Sequence, residues 1–287
     1  MEITRVQSAS EITTFIQSNV NATQSYTNKL PTQYDEALML FLKEAVQTTG
    51  IYVVKENNDI QMVMMCIPYF ENRFKVIGPI TKQGYTPTGS VFDALFHKMT
   101  QHIDSDAIYY FAYAAGNEHI KAFMKTIGAS YTFTDYYLET SRDLGETENL
   151  HHIIQYQPAY FRSFQKLHES TFTHHEMTAE EIEQSLDSDH QLFLYMAEGI
   201  LKGYLYLIYD RNQQHAEIKY FSSHSDYRLK GIAFDLIQHA IHHVLQQEQF
   251  DRIYFKIRSK NHRLVERFHE LGFNITSEYR KFKYVSP

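Results

Sequence analysis

Six consecutive residues, Arg228-Leu229-Lys230-Gly231-Ile232-Ala233, bring positive charge, a missing side chain and a helix start together. From Ile232 onward, Ala233, Ile237, Ala240, Ile241 and Val244 recur at helical spacing. The first turn of a helix leaves backbone N–H groups without partners, and its dipole favours anions. A glycine costs about 1 kcal/mol against alanine inside a helix, so Gly231 calls for a reason. Without a Cβ, an anion can approach the backbone closely. Small Ala233 extends that clearance, and Arg228 and Lys230 add charge beside it. The chemistry these residues suit is the holding of a diphosphate. Upstream, Glu217 stands in the strand-like run Ala-Glu-Ile-Lys-Tyr-Phe, where a carboxylate serves either as a proton acceptor or as a solvated edge residue. Downstream, Asn261 precedes Gly272 by eleven positions, a pairing of N-cap and C-cap residue types around one helix.

The second half of the chain reads as β-α-α-β-β-β-α-β-α-β. "HHIIQYQP" is predicted as a strand, "AYFRSFQKLHESTF" and "TAEEIEQSLDS" as helices, the latter capped by Thr178. "QLFLYMAEG" and "KGYLYLIYD" read as two strands joined by a turn holding Gly199 and Gly203. "HAEIKYFSSHS" follows, then the helix after Gly231, the strand "RIYFKIR", the helix "NHRLVERFHELGF" and the strand "ITSEYRKFKYV". Strand, helix, strand is a βαβ crossover, so part of the sheet is parallel. Ligands bind at the C-terminal ends of such strands, where the glycine segment lies.

On Arg228-x-x-Gly231-x-Ala233, directly after a strand and opening a helix, the chain resembles the GNAT N-acetyltransferase superfamily. The Asn261 to Gly272-Phe273 element at its downstream distance, and the element order, support the resemblance. It covers Ile153 to Val285 well and the first half in outline. The first half repeats parts of the pattern: "FDALFHKMTQHI" beside "FDLIQHAIHHVL", "IYYFAY" beside "IYFKIR", and Asn117 eleven positions before Gly128. A duplication is therefore expected. The fold class expected is α/β with a mixed α+β sheet: two GNAT-like domains in tandem, each a mixed, mostly antiparallel sheet with flanking helices. The boundaries are 1–145 for a degenerate domain and 151–287 for the acyl-CoA-binding one, joined through the polar stretch Ser141–Leu150. In the first half the corresponding loop, "KQGYTPTGSVFDAL", has no leading arginine and places Pro87, which has no N–H, near the key position.

The resemblance implies an N-acetyltransferase that moves an acetyl group from acetyl-CoA, as co-substrate, to a primary amine of a small molecule. It implies Glu217 as general base. It implies a cofactor site made of Phe221, Ser223, Arg228, Leu229, Lys230, Gly231, Ile232, Ala233, Asn261 and Phe268. Backbone N–H groups from Phe221 to Ser223, where the family's strand splays at a bulge, would hold the pantetheine and polarise the carbonyl. Asn261 would hydrogen-bond the CoA arm. Phe268 takes the place where the family commonly has a tyrosine that protonates the leaving sulfur. Phenylalanine has no such proton, and core or thiol packing is its role. A thiol with a reference pKa near 8.5 leaves with little help, and Tyr254, Tyr227 and Tyr279 are substitute donors. Two other readings stand: an aminoacyl or longer-chain acyl transferase with a wider acyl site, and a non-catalytic acyl-CoA-binding regulatory module.

Composition narrows the classes. The 287 residues are 43% hydrophobic and 15% aromatic, enough for a globular core, and the formal net charge is −7. That balance argues against a nucleic-acid partner held by phosphate contacts. It tilts the acceptor toward cationic amines. The longest apolar run, Met62 to Phe70, is too short for a bilayer span and contains Pro68. No membrane partner is expected, and the start "MEITRVQSASEITTF" has no apolar core of a signal peptide. One cysteine, Cys66, reads as a buried inert thiol and makes no internal disulfide, which suits a cytoplasmic chain. The sixteen histidines include the adjacent pairs 151–152, 174–175 and 242–243, whose side chains point apart in a helix or strand, so no metal site is expected. A homodimer is compatible with all of this.

Overall fold

A computed structural model describes residues 1–20, 30, 35–103, 106–172, 177–224 and 231–286. The chain divides into two compact units, Met1–Asp135 with Glu278–Pro287, and Tyr136–Ser277. The join read from the sequence falls inside the second unit. The reason is that one strand, Ser130–Thr140, has residues in both units.

The first unit runs β1 (Glu2–Arg5), α1 (Thr13–Asn19), α2 (Asp35–Gln47), β2 (Ile51–Glu56), β3 (Asp59–Phe70), β4 (Arg73–Thr81), α3 (Gly89–Thr100), β5 (Ile108–Ala114), α4 (Glu118–Thr126) and β6 (Ser130–Thr140). The second half of the chain runs β7 (Ile153–Gln155), α5 (Phe161–Thr171), α6 (Ala179–Ser185), β8 (His190–Ala197), β9 (Ile200–Asp210), β10 (His215–Ser223), α7 (Ile232–Leu245), β11 (Arg252–Arg258), α8 (His262–Glu270) and β12 (Asn274–Val285), the last belonging from Glu278 onward to the first unit. The order read for the second half is present element by element, and the first unit has the same order. Local chemistry explains much of it. Thr178 and Glu181 form a reciprocal capping box at α6. Gly128 and Gly272 end α4 and α8 with φ of 72° and 84°. Glu198 and Gly199, both at positive φ, make the β8–β9 turn. Gly203 is not part of that turn but lies within β9. A Cβ there would come within 2.9 Å of the Ile232 side chain, so this glycine seats the start of α7.

In the first unit the strand order is β1-β2-β3-β4-β5-β12-β6, with β12 antiparallel to β5. In the second it is β6-β11-β10-β9-β8-β7. Neighbours are antiparallel along β1 to β4 and β7 to β10, while β4–β5 and β10–β11 are parallel. In the second unit one apolar layer packs Leu205, Leu207, Ala216, Ile218 and Ile253 under α7, whose Leu236, Ile237, Ala240 and Ile241 are buried. The other layer packs Leu192, Leu194, Tyr204, Tyr206 and Tyr220 against Phe164, Leu167 and Ile182 of α5 and α6.

Candidate functional site

β10 changes its facing partway along. Ala216 and Ile218 point into the α7 layer, whereas Tyr220 belongs to the α5–α6 layer. The cause is a bulge between Ile218 and Tyr220 in its pairing with β9, which inserts one residue and reverses the alternation. The resemblance places the irregularity at Ser223; the structure places it at Lys219, and an inserted residue leaves no mark on a run of mixed polar and apolar side chains. The parallel ladder of β10 with β11 runs from His215↔Arg252 to Ile218↔Phe255. No further rung of this ladder is present among the described residues, so the strands part just where β10 bulges.

The parted edge carries backbone donors. The His224 N–H donates to the Lys202 carbonyl at 2.9 Å. Alternation along the strand then turns the N–H groups of Phe221 and Ser223 away from β9, toward the opening. Ser222, between them, is buried, and its hydroxyl lies 2.7 Å from that of Thr171 on α5. The Phe221 ring packs inward at 5.3 Å from Phe255 and 5.9 Å from Phe268.

α7 starts beside the same end of β10. Gly231 is its N-cap at φ 78° and ψ −5°, with no side-chain cap. A left-handed N-cap is glycine's own conformation, so the backbone itself requires this glycine, a reason beyond clearance. A Cβ added there would meet no protein atom within 4 Å. Ile232 is buried in the α7 layer and Ala233 is half-buried. Their backbone N–H groups, rather than the Ile232 side chain, are what the helix start offers a ligand. Arg228, Leu229 and Lys230, with Tyr227, lie outside the described residues.

Asn261 stands at the N-cap of α8, exposed, and its side chain makes no capping bond. Its counterpart Asn117 does cap, accepting from the Ile120 N–H at 3.1 Å. The Asn261 amide is thus not spent on its own helix. Phe268, expected as a cofactor contact, lies in the core. It is fully buried, stacked on Phe255 at 4.6 Å and edge-on to Phe273 at 4.9 Å. One helix turn pattern places Val265 and Phe268 on the core face of α8, so this ring is packing.

Glu217 is 17% exposed and pairs with Lys219 at 3.5 Å. It stands on the rung opposite Tyr254. Burial first, and then the Glu217 charge, push the Tyr254 phenol well above the ordinary tyrosine range. His215, two residues before Glu217, is pushed below the usual histidine range, chiefly by burial. Tyr254 was weighed from sequence only as a proton donor to sulfur. Its rung partner was not legible, because parallel register depends on how the crossover helix packs. Tyr279, the other described substitute, belongs to the first unit. A cleft of about 690 Å³, lined among others by Glu139, Arg142, Arg252 and His269, opens at the start of β11, at the other end of that strand from the parting.

Cys66 is a free, buried thiol, pushed up to about 12 by burial. His151 and His152 do not point apart: they sit in a single 3-10 turn with ring centroids 3.9 Å apart. His242 meets Asp143 and His243 meets Gln191, each at 3.0 Å. Among the described residues no group of three His, Cys, Asp or Glu side chains is placed to hold a metal. No helix among them is long and apolar enough to cross a membrane.

Residues 157–273 match the Acetyltransferase (GNAT) family. No curated protein matches the chain. Among solved structures, a GCN5-related N-acetyltransferase from Sphaerobacter thermophilus is similar over 99% of this chain and 96% of its own, with a TM-score of 0.75 at 11% identity. A tandem GNAT protein from the clavulanic acid biosynthesis pathway is similar over 100% of this chain and 98% of its own, TM-score 0.65, 12% identity. A GNAT-family acetyltransferase from Colwellia psychrerythraea is similar over 100% of both chains, TM-score 0.61, 11% identity.

Proposed function

We propose, from the match of residues 157–273 to the Acetyltransferase (GNAT) family, that the chain is a GNAT-type acyltransferase that moves an acetyl group from acetyl-CoA to a primary amine of a small molecule, using the second unit. The observation that carries the reading is the parting of β10 from β11 one rung beyond Glu217–Tyr254, beside a helix start whose N-cap is a glycine without a side chain to cap it. An open strand edge suits the amide-rich pantetheine arm, and an uncapped helix start suits its diphosphate. The resemblance assigns Arg228, Leu229 and Lys230, outside the described residues, to the same site; Ile232 and Ala233 would offer it backbone N–H groups, and Asn261 would reach the arm with an amide that does not cap its own helix.

An alkylammonium, with a reference pKa near 10.4, must lose its proton before it attacks. Glu217 takes that proton. As the C–N bond forms, the N–H groups of Phe221 and Ser223 stabilise the oxygen that gains charge. The C–S bond then breaks and CoA leaves as thiolate, a leaving group that needs little protonation, while the second proton that the nitrogen sheds on becoming an amide passes to solvent. That economy fits the buried Phe268, which has no proton to give.

The first unit supports a single CoA per chain. The parallel ladder β4–β5 holds Lys75↔Tyr110 on its third rung, where the ladder β10–β11 holds Glu217↔Tyr254. Beyond that ladder the buried Tyr113 hydroxyl donates to the Gly78 carbonyl at 3.0 Å and bridges β5 to β4. The first turn of α3 is capped by Thr88, whose hydroxyl accepts from the Val91 N–H. Base, open edge and uncapped helix start are all replaced. A second reading, acyl-CoA binding without turnover, is favoured by Phe268 alone.

The test is a panel of amines with acetyl-CoA, read by release of free thiol, for the wild type and Glu217→Gln, with calorimetry of CoA binding. Turnover is expected in the wild type. In Glu217→Gln it is depressed most at low pH, where the amine is protonated, at unchanged CoA affinity and one CoA per chain. Equal pH profiles remove Glu217 as the base. CoA binding without turnover on any amine favours the binding module, and two CoA per chain refutes the silent first unit.

A further inference from the structure

We propose that Ser222 and Thr171 are positioning residues, their hydroxyl pair tying the bulged end of β10 to the last turn of α5 and so aiming the Phe221 and Ser223 N–H groups into the opening. The proposal rests on the reading of those two N–H groups as the donors that polarise the thioester carbonyl. A strand paired on both sides needs no such tie. Beyond Ile218, however, β10 keeps its rungs with β9, from Phe221↔Leu205 to Ser223↔Gly203, where its described ladder with β11 has ended. Peptide groups held along one edge can turn about that edge, and donors stabilise a developing charge best when they are already aimed.

Ser222 is 6% exposed, and its hydroxyl lies 2.7 Å from that of Thr171. The Thr171 hydroxyl donates to the Leu167 carbonyl of its own helix at 3.0 Å. A hydroxyl has one proton, so Thr171 accepts and Ser222 donates. One turn earlier on α5, the buried His168 holds the other residue of the same rung. Ser222 pairs with Tyr204, whose hydroxyl lies 2.6 Å from His168 Nδ1. The Nε2 of that ring donates to the Met177 carbonyl at 2.8 Å. The Met177 N–H in turn donates to the Tyr220 hydroxyl at 3.2 Å. Both neighbours of Phe221 are therefore gripped from the α5–α6 layer, Tyr220 through Met177 and Ser222 through Thr171. The Phe221 ring is gripped from the other face, against Phe255 of β11 and Phe268 of α8. Anchors on alternating faces leave this segment little freedom to turn, and its outward N–H groups keep one direction.

The experiment binds acetyl-CoA carrying ¹³C at the thioester carbonyl to the full chain and reads that carbonyl by isotope-edited infrared difference spectroscopy. The proteins are the wild type, Ser222→Ala, Thr171→Val, the double variant and Thr171→Ser. Hydrogen bonds from the two N–H groups lower the carbonyl stretch of the wild-type complex below that of free acetyl-CoA. In Ser222→Ala and in Thr171→Val the band is expected to return about half of the way or more toward the free value. The kcat should fall about 10- to 100-fold, with the KM for acetyl-CoA within about threefold. The double variant should match the single ones, since either change removes the whole pair. Thr171→Ser keeps the hydroxyl and should keep the wild-type band. A merely structural pair would lower the melting temperature and leave the band in place, and that result overturns the proposal. A band that moves as far in Thr171→Ser as in Thr171→Val also overturns it. The spectrum needs no acceptor, so failure of the proposed function shows separately. A wild-type band at the free value removes Phe221 and Ser223 as donors, and the proposal with them. A band that moves as expected in a chain that acetylates no amine supports the positioning and overturns the transfer.

Discussion

Replacing Gly231 by alanine and by asparagine separates two reasons for the glycine. The first is conformational. At φ 78° the residue is left-handed, which costs an alanine about 1–2 kcal/mol. No steric clash adds to this, since a Cβ meets no protein atom within 4 Å. Spread over a chain of this size, the alanine variant should melt about 2–6 °C lower. Asparagine tolerates the left-handed region better and should recover part of that loss. The second reason is clearance for the diphosphate. Any side chain at the helix mouth holds the phosphates off one or two backbone donors. At about 1.5–3 kcal/mol for each charge-assisted bond, CoA binding should weaken at least tenfold. Scanning calorimetry gives the first quantity and titration calorimetry with CoA the second. The expected pattern is asparagine above alanine in melting temperature, with both equally poor in affinity. An asparagine variant that binds CoA like the wild type would refute the clearance argument and leave only the backbone conformation.

His239 on α7 has a buried Nδ1 without a partner, and burial, with His243 and His242 adding repulsion, lowers its pKa to about 4. The unfolded chain takes up a proton near pH 6.5 and the folded one does not, so stability is lost as pH falls from about 6.5 to about 4. After allowance for partial exposure the loss is about 1–2 kcal/mol. His239→Phe should flatten the fall of melting temperature over that range, and an unchanged pH dependence would count against the burial argument. Phe268→Ala should cost about 3–5 kcal/mol in chemical denaturation, because it empties the stack of Phe255 and Phe273. Phe268→Tyr should cost about 1–3 kcal/mol for a buried hydroxyl without a partner and should not raise kcat. A faster tyrosine variant would show that this ring does reach the sulfur.

The order of elements in the second half was legible because periodicity and caps agree there: Thr178 with Glu181, Gly272 after α8, the helical repeat from Ala233 to Val244. For the candidate site the sequence offered residue types at fixed spacing around Gly231, of which Arg228, Leu229 and Lys230 lie outside the described residues. What could not be read depends on register or packing. The bulge at Lys219 inserts a residue between Ile218 and Tyr220 without any local signature. The facing of Glu217 and Tyr254 is a property of two strands separated by a helix. Asn117 and Asn261 look alike in sequence, and only the folded backbone makes the first a cap and leaves the second uncommitted. Gly203 looked like a turn residue and proved to be the space into which Ile232 fits.

The pairing of β12 with β5, Tyr279 with Ala114 through Val285 with Ile108, bears on how the chain comes off the ribosome. β12 lies between β5 and β6 in the first unit, so that unit must wait for residues 279–285 before its sheet is filled. At ordinary elongation rates the wait is on the order of ten seconds. For that time β5 presents an unpaired edge with Tyr109, Phe111 and Tyr113, all buried in the finished protein. An aromatic strand edge of that kind is a template for wrong partners. Pairings so distant in sequence are also slow to find. The nascent chain is therefore most exposed to aggregation after its first unit has been synthesised, and a holding chaperone would act in that interval.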